Sequence, residues 1–208
     1  SKAQNRTYQD LLKNPNDVFN FKQLSQSELL KINLNGENQK WLSTKMYKNI
    51  EVSPNGKLLL IDFIKTPFSY IVPYYRFPTE THVYDLNAKL IKIIDDAPLL
   101  EELPKGFMST TKGKRNFRWR SDKPSTLAYS LALDGGDPSN STEYRDALYQ
   151  WEAPFNKAPS ILTKVKNRIS GIYWGSDKVA IITDRWWNTR NTKTYVFNPS
   201  NPKIKAKI

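Results

Sequence analysis

The chain has 208 residues, 38% of them hydrophobic and 25% charged, which is the composition of an ordinary globular protein. It contains no cysteine and a single histidine, His82, which excludes disulfides, cysteine nucleophiles and metal sites that need thiolates or two imidazoles. The 32 Lys and Arg residues outnumber the 20 Asp and Glu residues, and the resulting charge of +12 attracts anions such as nucleic acid, anionic lipid or acidic peptides.

Alternation of apolar and polar residues predicts β-strands along almost the whole chain. The first hairpin is predicted over residues 29–42, with Asn35-Gly36 at the turn, because both residues tolerate the backbone of a type I′ turn. Further strand segments lie at residues 50–52, 58–61, 83–86, 90–94, 117–119, 127–133, 172–174, 179–183 and 194–197. Helical spacing is weak and is confined to residues 8–12 and 99–103. The fold class is therefore predicted to be all-β.

One sequence pattern occurs three times: apolar residues in alternation, then a turn containing Ser, and then an apolar run. These repeats lie at residues 50–56, 117–123 and 172–178, and a second hairpin follows each of them. Two hairpins make a four-stranded sheet, and successive sheets of this kind form the blades of a β-propeller. Trp119 and Trp174 occupy equivalent positions in the last two repeats, which predicts packing between blades rather than ligand stacking.

The repeats predict a partial β-propeller with defined segments. We expect an N-terminal lead-in over residues 1–25, an outer hairpin over 26–45, and blades over about 46–100, 113–166 and 168–208, the last including the basic tail from Lys203. Because closed propellers need about 4–8 blades, this number of blades predicts a piece of a longer protein or an open arc covered by a partner.

Several strings are distinctive in their order and spacing, above all Ala132-Leu133-Asp134-Gly135-Gly136-Asp137-Pro138. The others lie at residues 75–78, 83–86, 115–124, 144–146, 153–155 and 171–175. Together, over roughly residues 26–202, the chain resembles the N-terminal β-propeller of the prolyl oligopeptidase family of serine peptidases, in its glutamyl endopeptidase-like branch.

The resemblance implies a partner domain of α/β-hydrolase type that carries a Ser-Asp-His triad, with the propeller restricting which peptide substrates reach it. The 208 residues contain no Gly-x-Ser-x-Gly, and Gly175-Ser176 falls in a predicted turn between strands. We therefore predict no catalytic residue, no metal and no cofactor for this chain, and place the catalytic residues elsewhere in a parent peptidase. A secreted or periplasmic location is the expectation for a bacterial protein of this kind.

Five residues are candidates for contact with substrate or another anion. They are Arg118, Arg120, Trp186, Trp187 and Arg190. Guanidinium groups bind carboxylates through two parallel hydrogen bonds, which fits a basic patch that attracts acidic side chains. The plainer interpretation is that the arginines on the 115–120 strand form a solvated or blade-bridging face, and that residues 184–192 form a solvated hairpin tip.

The remaining polar candidates have structural interpretations. Asp134 and Asp137 offer too few oxygens for calcium, and a tight loop with Asx turns is favoured. Asp146 is expected to form a local ion pair beside Arg145, and His82 is expected to be a strand residue with its ring satisfied.

Two other functions stay open at this stage. One is a stand-alone propeller module that binds protein partners through its loops. The other is a basic nucleic-acid binder, which is disfavoured because the aromatic residues repeat at core positions and the lysines are scattered. A membrane span is not expected, because the sequence has no apolar run of about 18 residues.

Overall fold

Alternating apolar residues build antiparallel sheets throughout the computed structural model, which describes residues 8–202. Each sheet runs up and down, so strands adjacent in sequence are hydrogen-bonded neighbours. The predictions made for residues 1–7 and for the basic tail after residue 202 lie outside the described residues. Within the described part the all-β prediction is confirmed, and the sheets are those of a partial β-propeller.

Four sheets contain the strands of residues 8–202. The first has two strands, β1 (Ser27–Ile32) and β2 (Asn38–Lys45). The second has four, β3 (Tyr47–Val52), β4 (Leu58–Ile64), β5 (Thr79–Asp85) and β6 (Leu90–Ala97). The third also has four, β7 (Arg115–Trp119), β8 (Thr126–Ala132), β9 (Asp146–Glu152) and β10 (Ser160–Val165). The fourth has three, β11 (Arg168–Trp174), β12 (Ala180–Arg185) and β13 (Thr192–Phe197).

The described residues divide into two compact units. The N-terminal unit comprises residues 8–52 and 56–101, and the C-terminal unit comprises residues 53–55 and 102–202. The predicted blades at about 46–100, 113–166 and 168–208 compare with sheets over residues 47–97, 115–165 and 168–197. The arrangement of these sheets around one axis stays a prediction.

One helix was not predicted from the sequence: α1 (Pro15–Leu24) begins after Asn14, whose side chain accepts the backbone N–H of Asp17 at 3.0 Å. An Asn N-cap followed by Pro at the first helical position is a helix-start signal that the search for apolar periodicity missed. Residues 8–12 and 99–103, where helical spacing was noted, contain no helix. No helix among the described residues has the length and apolar character needed to cross a membrane.

The core of the N-terminal unit lies on the central strand β4. Leu60 and Ile61 are fully buried, and Phe63 is 3% exposed. Tyr84 of β5 and Trp41 of β2 pack in the same region, with their ring centroids 6.1 Å apart. This packing explains why β4 is an almost continuous apolar run: both of its faces are covered.

The core of the C-terminal unit joins the inner faces of the third and fourth sheets. Ala128, Leu148, Ile182 and Phe197 belong to one buried cluster. Trp174 packs against it, with its ring 6.1 Å from that of Phe197, and Trp119 is 5% exposed. The repeated tryptophans are therefore packing residues, as their equivalent positions in the repeats predicted.

His82 lies on β5 in the N-terminal unit, as predicted for a strand residue. Its Nδ1 is 3.1 Å from the Tyr84 hydroxyl, and its Nε2 is 2.9 Å from Glu80 Oε2 without the alignment of a hydrogen bond. The ring is thus satisfied at one nitrogen only. Burial lowers the pKa of His82 below its ordinary value of 6.5, and the Glu80 carboxylate opposes this shift.

We expect the single imidazole to titrate below pH 6.5 in the folded chain, because burial favours its neutral form. Since the pKa in the folded state lies below that in the unfolded state, stability is lost as the pH falls below about 6.5. The C2–H resonance of His82 in an NMR titration measures this pKa directly, with the urea-unfolded chain as reference. Glu80→Gln removes the opposing carboxylate and should lower the pKa further; a folded pKa above the unfolded one contradicts this account.

A cation–aromatic surface over a buried arginine–aspartate cluster

Charged residues of the C-terminal unit gather where its strands begin and end. Asp146 opens β9 and pairs with Ala132, the last residue of β8, and with Val165, the last residue of β10. Arg168 opens β11 and pairs with Arg185, the last residue of β12. The strand register therefore brings loop residues from both sheets of this unit to one place.

Arg168 links two buried carboxylates at this place. Its Nη2 donates to Asp134 Oδ2 at 2.7 Å, and its Nη1 donates to Asp146 Oδ1 at 2.9 Å. Both aspartate side chains are 0% exposed, and that of Arg168 is 7% exposed. Its Nε donates to the carbonyl of Met108 at 2.9 Å, which ties in the loop before β7.

Two more arginines complete the group. Arg145 donates to Asp134 Oδ2 at 2.9 Å, and Arg115 donates to Asp146 Oδ2. Asp134, Asp146, Arg115, Arg145 and Arg168 are called the buried cluster below. Three guanidiniums and two carboxylates leave one net positive charge, and such close pairing is what makes their burial tolerable.

The pairing of Asp146 differs from the expectation. Its carboxylate contacts Arg115 and Arg168, while the neighbouring Arg145 pairs with Asp134 instead. Asp146 also accepts the backbone N–H of Ile169 at 2.8 Å, so it joins β7, β9 and β11. The carboxylate expected to form a local ion pair is in fact fully buried, and its contacts span two sheets.

The loop after β8 carries the Asx turns that the sequence predicted. Asp134 Oδ1 accepts the N–H of Gly136 at 3.0 Å, and Asp137 Oδ1 accepts that of Ser139 at 2.9 Å. The Ser139 bonds lower the pKa of Asp137 below its usual value. Gly136 has a positive φ of 80° and lies against the backbone carbonyl of Thr110, where a side chain would not fit.

The hairpin between β12 and β13 contacts the buried cluster through Trp186. The backbone N–H of Trp186 donates to the Asn191 carbonyl at 3.2 Å, and the backbone N–H of Arg190 donates to the Trp187 carbonyl at 3.2 Å. The guanidinium carbon of Arg145 lies 4.3 Å from the centre of the Trp186 ring. A member of the buried cluster therefore supports the first tryptophan of this hairpin through a cation–π contact.

Trp187 is the centre of a half-exposed group. The guanidinium carbons of Arg190 and Arg185 lie 3.6 and 5.8 Å from its ring centre. The ring of Phe107, which is 51% exposed, stacks on it at 5.0 Å with an angle of 17° between the planes. Phe107, Arg185, Trp187 and Arg190 are called the cation–aromatic surface below.

A third buried carboxylate, Asp184, fixes the strand that carries Arg185 of this surface. Asp184 is 0% exposed and accepts the N–H and the side-chain amide of Asn167, both at 3.1 Å. It also accepts the hydroxyl of Tyr195 at 3.2 Å. Burial, together with the nearby Asp184 charge, raises the pKa of Tyr195 to about 12.

The five predicted contact residues fall into separate places. Trp187 and Arg190 lie in the cation–aromatic surface, and Trp186 lies beside it on Arg145. Arg118 is exposed near the end of β7. Arg120 is 1% exposed: it donates to Asp122 at 3.0 and 2.6 Å and to Gln150. Contact of any of the five with a ligand stays a prediction, and the geometry of Arg120 is that of a structural ion pair.

The sequence did not indicate Phe107 as a member of the surface or the buried cluster as a whole, and Arg185 was included only as part of the donor-rich segment 184–192, without being predicted as a contact residue. Phe107 has no repeat or alternation around it, so no signal marked it. Arg185 directly precedes Trp186-Trp187 at a strand end, which was an available signal.

Comparisons with known proteins identify the relatives of this chain. No protein-family model matches it. Proteins named probable glutamyl endopeptidase, chloroplastic, from Oryza sativa subsp. japonica and from Arabidopsis thaliana are 35% and 34% identical over 208 residues. Each match covers 99% of this chain but 22% of the relative, so the chain spans about a fifth of their length.

Solved structures show the same fold at low identity. An acylaminoacyl peptidase in complex with Z-Gly-Gly-Phe-chloromethyl ketone matches with a TM-score of 0.52 and 14% identity, over 89% of this chain and 28% of that one. The uncomplexed acylaminoacyl peptidase of Pyrococcus horikoshii matches with a TM-score of 0.50 and 16% identity, over 86% and 28%. The resemblance to the propeller of the prolyl oligopeptidase family, in its glutamyl endopeptidase-like branch, is confirmed.

Asp146→Asn is expected to destabilise the chain by about 3–5 kcal/mol, because it leaves the buried Arg168 and the partly buried Arg115 facing a neutral amide. Urea unfolding at neutral pH measures the change. Asp177→Asn is the matched control: Asp177 is exposed in the β11–β12 turn, and its loss should change stability by less than about 0.5 kcal/mol. Equal effects of the two substitutions would refute a central role for the cluster.

Gly135 and Gly136 provide a second matched pair, since both have a positive φ but only Gly136 is crowded. Gly135→Ala should cost about 1–2 kcal/mol from backbone strain alone. Gly136→Ala should cost roughly 1–3 kcal/mol more, because its Cβ would lie 2.1 Å from the Thr110 carbonyl oxygen. Thermal or urea unfolding compares the two variants, and a Gly136→Ala variant as stable as Gly135→Ala would contradict the packing described.

Proposed function

We propose that this chain is the non-catalytic propeller part of a serine peptidase and that it controls the access of peptides to a separate α/β-hydrolase domain. The observation that carries the proposal is the 35% identity along the whole chain to a protein named glutamyl endopeptidase, of which the chain spans 22%. Most of such a parent protein lies outside this chain, which leaves room for a catalytic domain.

The sequence supports the assignment of catalysis to another part of the parent. Gly-x-Ser-x-Gly does not occur in the 208 residues, and the Gly175-Ser176 pair lies between β11 and β12. Ser176 Oγ there accepts the N–H groups of Lys178 and Val179 at 3.2 and 3.3 Å, which is the role of a turn residue.

The cation–aromatic surface supports a role in handling substrate. It combines exposed aromatic area with two guanidiniums, and the buried cluster holds the loops that carry it, through Arg145 beneath Trp186 and Arg168 on the Met108 carbonyl. Groups fixed in this way lose little entropy when a ligand binds. We assign this face of the propeller to the route of the peptide substrate.

A bulky label at the tip of the β12–β13 hairpin tests the proposal in the parent peptidase. Thr189→Cys, in a parent whose own reactive cysteines have been replaced, is modified with a polyethylene glycol maleimide. We expect kcat/KM for a long unfolded polypeptide to fall by about tenfold or more, equivalent to at least 1.4 kcal/mol of barrier, with a smaller loss for a short peptide. Lys178→Cys, labelled equally in the β11–β12 turn, should keep its activity.

Two results contradict the proposal. Equal losses from the labels at positions 189 and 178, or no loss from either, would remove this face from the substrate route. Peptide hydrolysis by the 208-residue chain alone, surviving repurification and abolished by a substitution within it, would disprove the assignment of catalysis to another domain.

A further inference from the structure

We infer that Arg185 and Arg190, with Trp187 and Phe107, form a binding site for the carboxylate side chains of an acidic peptide segment. This inference rests on the proposed function and specifies the substrate class that the cation–aromatic surface accepts. It depends on three properties of the surface. Its positive charge has no counter-charge within the described residues, and its guanidinium N–H groups have no hydrogen-bond partner there. Its Trp187 ring is already in contact with Arg190 and Phe107.

The first property is a difference between two sets of arginines in the C-terminal unit. Arg115, Arg145 and Arg168 each have a buried aspartate as partner, and Arg120 has Asp122. Arg185 and Arg190 are exposed, and among residues 8–202 no carboxylate oxygen lies within 4 Å of either. The surface therefore holds two positive charges without a counter-charge from the described part of the chain.

The second property is the way the guanidiniums are held. Arg190 lies over the Trp187 ring at 3.6 Å, and a guanidinium in stacking contact keeps its N–H donors in its own plane, directed away from the ring. The side chains of Arg185 and Arg190 make no hydrogen bonds within the described residues. Planar donors of this kind fit the two oxygens of a carboxylate.

The third property favours a peptide over a nucleic acid. The Trp187 ring already contacts the Phe107 ring at 5.0 Å and the Arg190 guanidinium at 3.6 Å, which leaves little of it open for a stacked base. Phe107 remains 51% exposed, and it offers apolar area to the aliphatic part of a Glu side chain. Carboxylate recognition beside a small apolar contact is the chemistry of an acidic peptide.

Binding of labelled peptides to the 208-residue chain tests the inference by fluorescence anisotropy. Hexaglutamate is expected to bind, and hexaglutamine of equal length is not. Increasing the salt concentration should weaken hexaglutamate binding, because exposed charge pairs are screened. An oligothymidylate of six nucleotides is the competitor that represents the nucleic-acid alternative.

The double variant Arg185→Gln/Arg190→Gln is expected to weaken hexaglutamate binding about tenfold or more, the loss for about 1.4 kcal/mol of binding free energy. The control Lys157→Gln/Lys178→Gln removes the same charge from two exposed turns at the other end of the strands, and should stay within about twofold. Since none of the four side chains is buried, both variants should fold, as far-UV circular dichroism and the thermal midpoint will check.

Three outcomes overturn the inference: no hexaglutamate binding, equal losses in the two double variants, or tighter binding of oligothymidylate that the arginine variant abolishes. Failure here is distinguishable from failure of the proposed function. If the label at position 189 still blocks the parent peptidase while hexaglutamate does not bind, the face lies on the substrate route but selects no acidic segment.

Discussion

The contact on which the C-terminal unit depends is the bridge from Arg168 to the buried carboxylates of Asp134 and Asp146. One guanidinium holds the loop after β8, the start of β9 and, through the Met108 carbonyl, the loop before β7. In an antiparallel sheet, main-chain hydrogen bonds and apolar packing hold the central strands in place, but they do not determine the conformation of the loops at the strand ends. In this protein, the buried arginine–aspartate ion pairs hold these loops in place, and the loops carry the exposed aromatic residues.

Buried ion pairs are an expensive way to order loops, because the desolvation of each ion offsets much of the attraction. The compensation here comes from complete use of the carboxylate oxygens: Asp134 accepts from Arg145, Arg168 and the Gly136 N–H, and Asp146 is equally saturated. We expect pairing of this kind to contribute more to defining one arrangement than to net stability, since a loop that moved would leave a charge without its partner. The same logic explains the crowding at Gly136, where a tight approach to the Thr110 backbone closes the loop around Asp134.

The sequence predicted those parts of the molecule that follow from local periodicity. Strand alternation and the repeated hairpins predicted the sheets, and the equivalent positions of Trp119 and Trp174 predicted their packing role. It did not predict which carboxylate pairs with which arginine, because Asp146 meets Arg168 only after two sheets have packed. Arg120, directly after β7, shows the same limit: alternation over residues 115–120 cannot distinguish a solvated arginine from one that is 1% exposed and paired. The signal for helix α1 was present in Asn14-Pro15, and a search for caps rather than periodicity finds it.

The arginines of the C-terminal unit fall into two groups. The paired arginines hold its loops in place, and the unpaired arginines are the proposed ligand contacts. When a surface guanidinium has an acidic neighbour, a local ion pair compensates its charge and occupies its N–H donors, and it is then a poor receptor for an incoming carboxylate. The stacking of Arg190 on Trp187 avoids this competition, since an aromatic ring stabilises the cation without occupying its in-plane donors. The carboxylates of Asp134 and Asp146 are buried and already paired with Arg115, Arg145 and Arg168. Arg185 and Arg190 are thus the arginines of this unit whose charge has no partner within the described residues, and the proposed site for an acidic ligand depends on that charge.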